Sequence, residues 1–303
     1  MHANLIPKRA HPPVMLYITA VAAALALLLA AASWLPALRA AEQRELAVFL
    51  FAGQSNMAGA DSLIADPPGF QQTDADQAGL FTTAPLPEAE QAREYYPWGD
   101  IRGHRGSPSG NLLHGPEVGF ARELYRAGWR NVAIIKVFAN SSPDADRWPW
   151  GRDGALYARW TKFADARLAD LRTQGYRYRV YGFVWHQGID DAIHGQSASS
   201  YQQNLTGLVG MLRHRYGDER TPFVLARSVS SPIAKAITGS GENNPMAVVR
   251  RAQVALGSSL PHAGWIDVDD LPTVNQHHFT AEEQLTIGRR FAERFLRLAK
   301  PRP

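Results

Sequence analysis

Leu46–Gly59 reads LAVFLFAGQSNMAG: an apolar run that stops at Gly53 and turns, through Gln54-Ser55-Asn56, into the small residues Met57 to Ala60. Leu46 to Phe51 has the length and composition of a buried strand. A strand that ends at a glycine and passes directly into a helix start puts Ser55 at the carboxyl edge of a sheet. In open α/β sheets that edge is where ligands bind. A serine there has an exposed hydroxyl, and its own backbone N–H lies at the positive end of a helix. Both features suit a nucleophile whose intermediate carries an oxyanion. The competing reading of Ser55 is a helix N-cap.

The rest of the chain alternates in the same way. Asn131 to Phe138 (NVAIIKVF), Val180 to Trp185, Thr221 to Ala226 and Gly264 to Val268 read as four further strands. Between them lie helical patterns. Val118 to Tyr125 keeps helical spacing up to Gly128, Tyr157 to Leu171 is amphipathic, and Ser199 to Tyr216 carries Tyr201, Leu205, Leu208, Val209 and Leu212 on one face. Pro245 to Leu256 is a short helix. Thr280 and Glu283 form a capping box that opens the last one. Near-continuously apolar strands separated by helices imply a parallel sheet covered on both faces. The expectation is one α/β domain with a five-stranded parallel sheet. Asp61 to Gly110, rich in Pro, Gly, Asp and Gln, reads as loops.

Composition narrows the class. With 45% hydrophobic and 20% charged residues over 303 positions, the chain can bury a sizeable core. It has no cysteine, which excludes a disulfide scaffold, a thiol nucleophile and a Cys-ligated metal. Three of its four net positive charges, Lys8, Arg9 and Arg39, lie within residues 1–40, which contain no Asp or Glu. The remainder is close to neutral, and no basic field argues for a nucleic-acid partner. Lys8 and Arg9, the uncharged run Val14 to Leu35 and the small residues up to Ala40 have the layout of an export signal cleaved after Ala40. The run is also long enough for an uncleaved membrane anchor, which takes roughly 20 apolar residues. Either way, residues 41–303 form an exported domain, periplasmic or secreted or held at a membrane by residues 14–35.

GQSNM resembles the nucleophile block of the SGNH-type hydrolases, in the branch of sialate O-acetylesterases and acetylxylan esterases (carbohydrate esterase family 6-like). Four later blocks appear in the order that branch has them. They are Gly115-Pro116-Glu117, Trp185-His186-Gln187-Gly188, Arg250-Arg251-Ala252-Gln253 and His278-Phe279-Thr280 before the final helix. The resemblance implies a three-layer α/β/α flavodoxin-like domain and a serine carboxylesterase acting on O-acetylated carbohydrate. It implies Ser55 as nucleophile and His278 as base, with no metal and no cofactor. No spacing among the ten histidines supports a metal site either. Oxyanion donors are expected from the Ser55 backbone N–H, a backbone N–H near Asn140 and the Gln187 amide. Gln54, Asn56, His186, Trp148 and Trp150 are the substrate-contact candidates. The polar string around the two tryptophans, Asp146 to Gly154, suggests a sugar platform, while His186 and Gln187 also read as buried structural groups.

Two family carboxylates are missing. The Asp expected three residues before the base is Asn275, and the Glu expected after W-H-Q-G is Ile189. Asn275 by position and Asp190 by charge are the candidates to orient His278, with Asp269 and Asp270 as further substitutes. The losses motivate a rival reading, a catalytically weak or inactive carbohydrate-binding protein on an esterase scaffold. A third reading, an exported lipase or peptidase, would want a more apolar pocket than these Trp- and Asp-rich loops offer.

Overall fold

The computed structural model describes residues 45–64, 79–85, 96–99, 104–105, 112–139, 148–193, 197–230 and 232–299. Residues 1–40, read above as an export signal or anchor, lie outside them, as does Asn140. Among the described residues no helix is long and apolar enough to cross a membrane. The chain divides into Met1–Glu45 and Leu46–Pro303, and the second unit carries the fold.

Its strands are β1 (Glu45–Gly53), β2 (Leu63–Ile64), β3 (Gly79–Pro85), β4 (Tyr96–Gly99), β5 (His104–Arg105), β6 (Leu112–Leu113), β7 (Val132–Phe138), β8 (Arg177–His186), β9 (Phe223–Ala226) and β10 (Ala263–Ile266). Its helices are α1 (Ser55–Ala58), α2 (Glu117–Arg126), α3 (Ala155–Thr173), α4 (Ile189–Ile193), α5 (Tyr201–Tyr216), α6 (Pro232–Thr238), α7 (Pro245–Ser259) and α8 (Ala281–Leu298). The main sheet runs β10-β9-β8-β1-β7-β3-β4, and β2-β6-β5 form a small antiparallel one.

All five expected strands are present. The sheet is larger than expected because β3 and β4 come from the stretch read as loops. β3 pairs parallel with β7, and β4 closes the edge antiparallel to β3. The sequence of β3, GLFTTAP, has two threonines where a buried strand usually shows aliphatic residues, so no continuous apolar run announces it. Thr82 and Thr83 are nevertheless fully buried.

Three strands end side by side. Gly53 of β1 is in register with Phe138 of β7, and Gln54 N–H donates to His186 O at the end of β8 (3.1 Å). The turns after β1, β7 and β8 therefore open on one edge.

Strand alternation sorts the layers. In β8, Phe183 and Trp185 point one way, where Trp185 stacks near Trp160 of α3 (6.5 Å between centroids). Gly182 and His186 point the other way, toward Phe295 and Phe291 of α8. On that side Phe49 meets Phe120 of α2 (5.0 Å) and Phe295 of α8 (4.9 Å), both edge-on. Helices α2 and α8 touch backbone to backbone. A Cβ on Gly119 would lie 2.1 Å from Leu285 O, and one on Gly288 would lie 2.0 Å from Pro116 O. The capping box is present at the start of α8, where Thr280 N–H donates to Glu283 Oε2 (3.1 Å).

Two buried ionisable groups sit in this frame. Glu117 and Lys136 form a fully buried ion pair at 2.8 Å. The other Glu117 oxygen accepts the Gly115 N–H (3.0 Å), and Lys136 Nζ lies 3.5 Å from Ala58 O, under α1. Burial pushes the Lys136 ammonium down, and Glu117 pulls it back up. His186 is buried against Phe279 and Phe291, and burial pushes its imidazole down to about 3.

Breaking the ion pair from one side strands a buried charge. Lys136→Met is expected to cost about 3–5 kcal/mol, and Lys136→Met with Glu117→Gln substantially less. Urea midpoints at unchanged slope measure both. A single variant as stable as the double would contradict the pairing.

His186 has a lower pKa folded than unfolded, so the unfolded chain binds the extra proton below the ordinary imidazole value and stability falls as the pH drops. Relative to His186→Leu, the wild type is expected to lose on the order of 2 kcal/mol between pH 6.5 and pH 5, at about 1.4 kcal/mol per unit. Parallel stability curves for the two proteins would refute this.

Candidate active site

Ser55 opens α1 directly beyond β1 and is half-buried, between two buried amides. Its N–H lies in the first turn of α1, where no intrahelical acceptor exists. The α1 ladder begins with Met57 and Ala58 donating to Gln54 O (2.9 and 3.0 Å).

Gln54 and Asn56, expected to touch substrate, are instead internal clasps. Gln54 is 4% exposed. Its Oε1 accepts the N–H groups of Gly188 (2.9 Å) and Ile189 (3.1 Å), so it caps α4 and ties the β1 turn to the β8 turn. Asn56 is 1% exposed. Its Nδ2 donates to His277 O (2.9 Å), while its own carbonyl accepts Gln284 Nε2 (3.1 Å). That pair of bonds holds the Ser55 turn to the loop of His278 and to α8.

His278 sits on the loop between β10 and α8, its side chain 13% exposed. Its Nδ1 lies 2.5 Å from Asp61 Oδ2 and 3.1 Å from Asn275 Nδ2. Asp61 is half-exposed and stands at φ +63, just past the end of α1. A carboxylate oxygen can only accept, so the Nδ1 facing it carries the proton and Nε2 is left as the basic nitrogen. Burial lowers the imidazole below its ordinary value, Asp61 raises it, and neighbouring His277 lowers it again. The result lies on the low side. The His277 ring lies 3.9 Å from that of His278, tilted by 54°, and its Nδ1 is 3.1 Å from Asn275 O.

The carboxylates expected to orient His278 are engaged elsewhere. Asp190 Oδ1 accepts from Gln54 Nε2 (3.3 Å). Asp269 is bridged by Arg227 (2.8 Å) and Arg250 (2.5 Å), and Asp270 by Arg290 (2.6 Å). Asn275 is in place beside His278. Asp61 is hidden in the sequence because it opens a stretch whose composition is that of loops. Its signal is an acid six residues beyond Ser55, in a chain where the position expected to hold the histidine's acid is Asn275.

The β8 turn is more buried than its expected roles require. Gln187 is 1% exposed, and its Nε2 donates to Asp191 Oδ2 (2.5 Å). Its backbone carbonyl accepts Tyr201 Oη (2.7 Å) and Gln253 Nε2 (2.9 Å), while its side-chain Oε1 is buried with no hydrogen-bond partner among the described residues. The amide is thus buried inside the fold with only its Nε2 bonded, and His186, 2% exposed, is likewise buried. Burial pushes the Asp191 carboxyl up, against hydrogen bonds from Ser197, Gln187 and Trp148. The sugar platform is corrected in the same way. Trp150 is fully buried, edge-on to Trp185 (5.1 Å) and Trp160 (6.0 Å). Its neighbours Arg152 and Asp153 take the solvent instead, which is why a polar string concealed a core residue. Trp148 is half-buried, and its Nε1 donates to Asp191 (2.9 Å). The Gln253 of the R-R-A-Q block is also buried, accepting the Ser228 N–H (2.8 Å).

Among the described residues, no three His, Asp or Glu converge as a metal site. The groups placed at the sheet edge are Ser55, partly buried, an imidazole with a carboxylate behind it, and a helix-start N–H, and Asn56 joins the turn of the first to the loop of the second. That set can transfer an acyl group.

Comparison with known proteins agrees. The chain is 27% identical, over 263 residues, to a probable carbohydrate esterase of Arabidopsis thaliana, covering 82% of this chain and 90% of the relative. A solved Arabidopsis thaliana protein superposes with a TM-score of 0.60 at 20% identity, over 84% of this chain and 98% of its own. A carbohydrate acetylesterase from Xanthomonas citri gives a TM-score of 0.60 at 20% identity, with 84% of this chain matched to 56% of the longer protein. These two likenesses establish the three-layer α/β/α fold. Residues 45–297 match the model of a carbohydrate esterase family, the sialic acid-specific acetylesterases. The chain belongs to that family, and with it to the hydrolases that act on acetyl esters.

Proposed function

We propose that this protein is an exported serine carboxylesterase that removes O-acetyl groups from carbohydrate, sialate or xylan-type esters being the substrate class. Ser55 Oγ attacks the acetyl carbonyl and His278 Nε2 takes its proton. The imidazolium then protonates the departing sugar oxygen, and water repeats the cycle on the acetyl-enzyme. The Ser55 N–H faces the developing oxyanion, with a backbone donor near Asn140 as its expected partner.

One observation supports this reading above the others: the carbonyl next to His278 is clasped by the side chain next to Ser55, Asn56 Nδ2 to His277 O at 2.9 Å. The nucleophile and base candidates are adjacent to one partly buried bond. Export rests on Lys8, Arg9 and the apolar run 14–35. Cell fractionation with N-terminal sequencing separates a domain cleaved after Ala40 from one that stays anchored.

Acetate release by residues 42–303 from an activated acetyl ester and from acetylated glycans is expected to fall at least ~10³-fold in Ser55→Ala and in His278→Ala. Turnover in Ser55→Ala equal to the parent would exclude the serine mechanism.

The base works only when neutral, and His278 lies below the ordinary imidazole value of 6.5. The acid limb of kcat/KM is therefore expected with its midpoint below pH 6.5, activity rising through it toward neutral pH. A midpoint above 6.5 would contradict the site described here.

A further inference from the structure

We propose that Asp61 is the positioning carboxylate of His278, a role moved from the loop before α8 to the end of the nucleophile turn. This rests on the serine esterase reading and adds to it the residue that sets the tautomer of the base.

Two contacts converge on one carboxylate oxygen. Asp61 Oδ2 lies 2.5 Å from His278 Nδ1 and 2.5 Å from Asn275 Nδ2, and those two nitrogens are 3.1 Å apart. Asn275 Oδ1 accepts the His278 backbone N–H (3.0 Å). That bond fixes which way the amide points. Flipped, it would set an oxygen against the Asp61 carboxylate and an NH2 against the His278 N–H, both repulsive. Its donor therefore faces Asp61, and its acceptor is already used. Asn275 cannot take the Nδ1 proton in this arrangement. It steers the carboxylate that does.

The turn carrying Asp61 is firmly placed. Ser62 is fully buried, its Oγ 2.5 Å from Gly59 O and 2.7 Å from His114 O, and its N–H donates to Gly59 O (3.0 Å). Asp61 is held between that anchor and α1 at φ +63, a left-handed conformation that Asp and Asn accept more readily than most residues. The chain has thus exchanged an acid at 275 for an amide while holding an acid on the opposite loop against the same imidazole nitrogen.

The test exchanges them back. Asp61→Asn keeps a residue suited to the left-handed position, so folding and melting temperature are expected to stay near the parent. Acetyl-ester kcat is expected to fall about 10³–10⁴-fold with KM little changed, as when an acid is lost from a triad. The acid limb of kcat/KM should move to lower pH, since the carboxylate raises the imidazole. Asp61→Asn combined with Asn275→Asp should regain at least ten-fold in kcat and return the limb toward its original position. Ser55→Ala, run beside them, separates the two claims. Activity within about three-fold of the parent in Asp61→Asn, with Ser55→Ala dead, overturns the role of Asp61 and leaves the serine mechanism standing. A large loss in Asp61→Asn with an unmoved limb and no gain in the exchanged variant makes Asp61 merely structural and also overturns the proposal. Undiminished activity in Ser55→Ala overturns the reading beneath it.

Discussion

The two buried amides beside Ser55 are the constraint on which the site depends. Gln54, Ser55 and Asn56 are consecutive polar residues, and only the middle one keeps access to solvent. A buried amide must find partners for its donors and acceptor. Gln54 finds them in the N–H groups that open α4 and in Asp190, and Asn56 Nδ2 finds His277 O, its Oδ1 being left without a partner among the described residues. Each flanking side chain thereby fastens a different loop to the β1 turn. The G-Q-S-N string is as much a structural rivet as a chemical motif. Either flanking change would loosen a neighbouring turn before it touched the serine.

A second set of contacts fixes the distance over which this works. The buried Glu117–Lys136 pair joins the start of α2 to β7 and reaches Ala58 O beneath the nucleophile turn. Helix α2 meets α8 at Gly119 and Gly288, with no room for a side chain on either. Helix α8 begins at Ala281, three residues beyond His278. The position of the imidazole is therefore relayed from the β1 turn through a charge pair and a backbone crossing. Neither relay is solvent-exposed. The Gly-Pro-Glu block earns its place in the pattern through packing, since the carboxylate of Glu117 is wholly inside.

Much of this was legible in the sequence, and the failures share a cause. Strands β1, β7, β8, β9 and β10 announce themselves as apolar runs, and Thr280 with Glu283 marks the start of α8. Strand β3 does not, because Thr82 and Thr83 bury hydroxyl-bearing side chains in a segment whose average composition is that of a loop. Trp150 misled in the same direction. It lies in a polar string yet has no exposed surface, since the string turns it inward against Trp185 while Arg152 and Asp153 face out. Averages over a window report the majority of side chains, whereas cores and sites are built from single ones. His186, Gln187, Gln54 and Asn56 show the complementary error: residues of a recognisable motif flank Ser55 or the β8 turn yet are buried rather than open to solvent.

Asp61 was illegible for a different reason. A family pattern assigns a role to a position, but an imidazole needs only an acceptor at Nδ1, from whichever loop can reach it. Asp61 reaches it from the end of α1, a turn already riveted to the loop of His278 by Asn56. The move has a physical consequence. Asp61 is 48% exposed at its side chain, against 13% for His278, so water weakens the charge interaction while the histidine keeps most of its burial. Desolvation then outweighs the carboxylate, and the imidazole rests below its ordinary value. A base poised that way is neutral at neutral pH, the state in which the proposed mechanism needs it to accept a proton from Ser55. The imidazolium it becomes is helped less than one facing a buried acid. The second hydrogen bond that Asn275 gives Asp61 compensates in part, because a carboxylate held in one orientation loses less of its effect to motion than a free one at the same exposure.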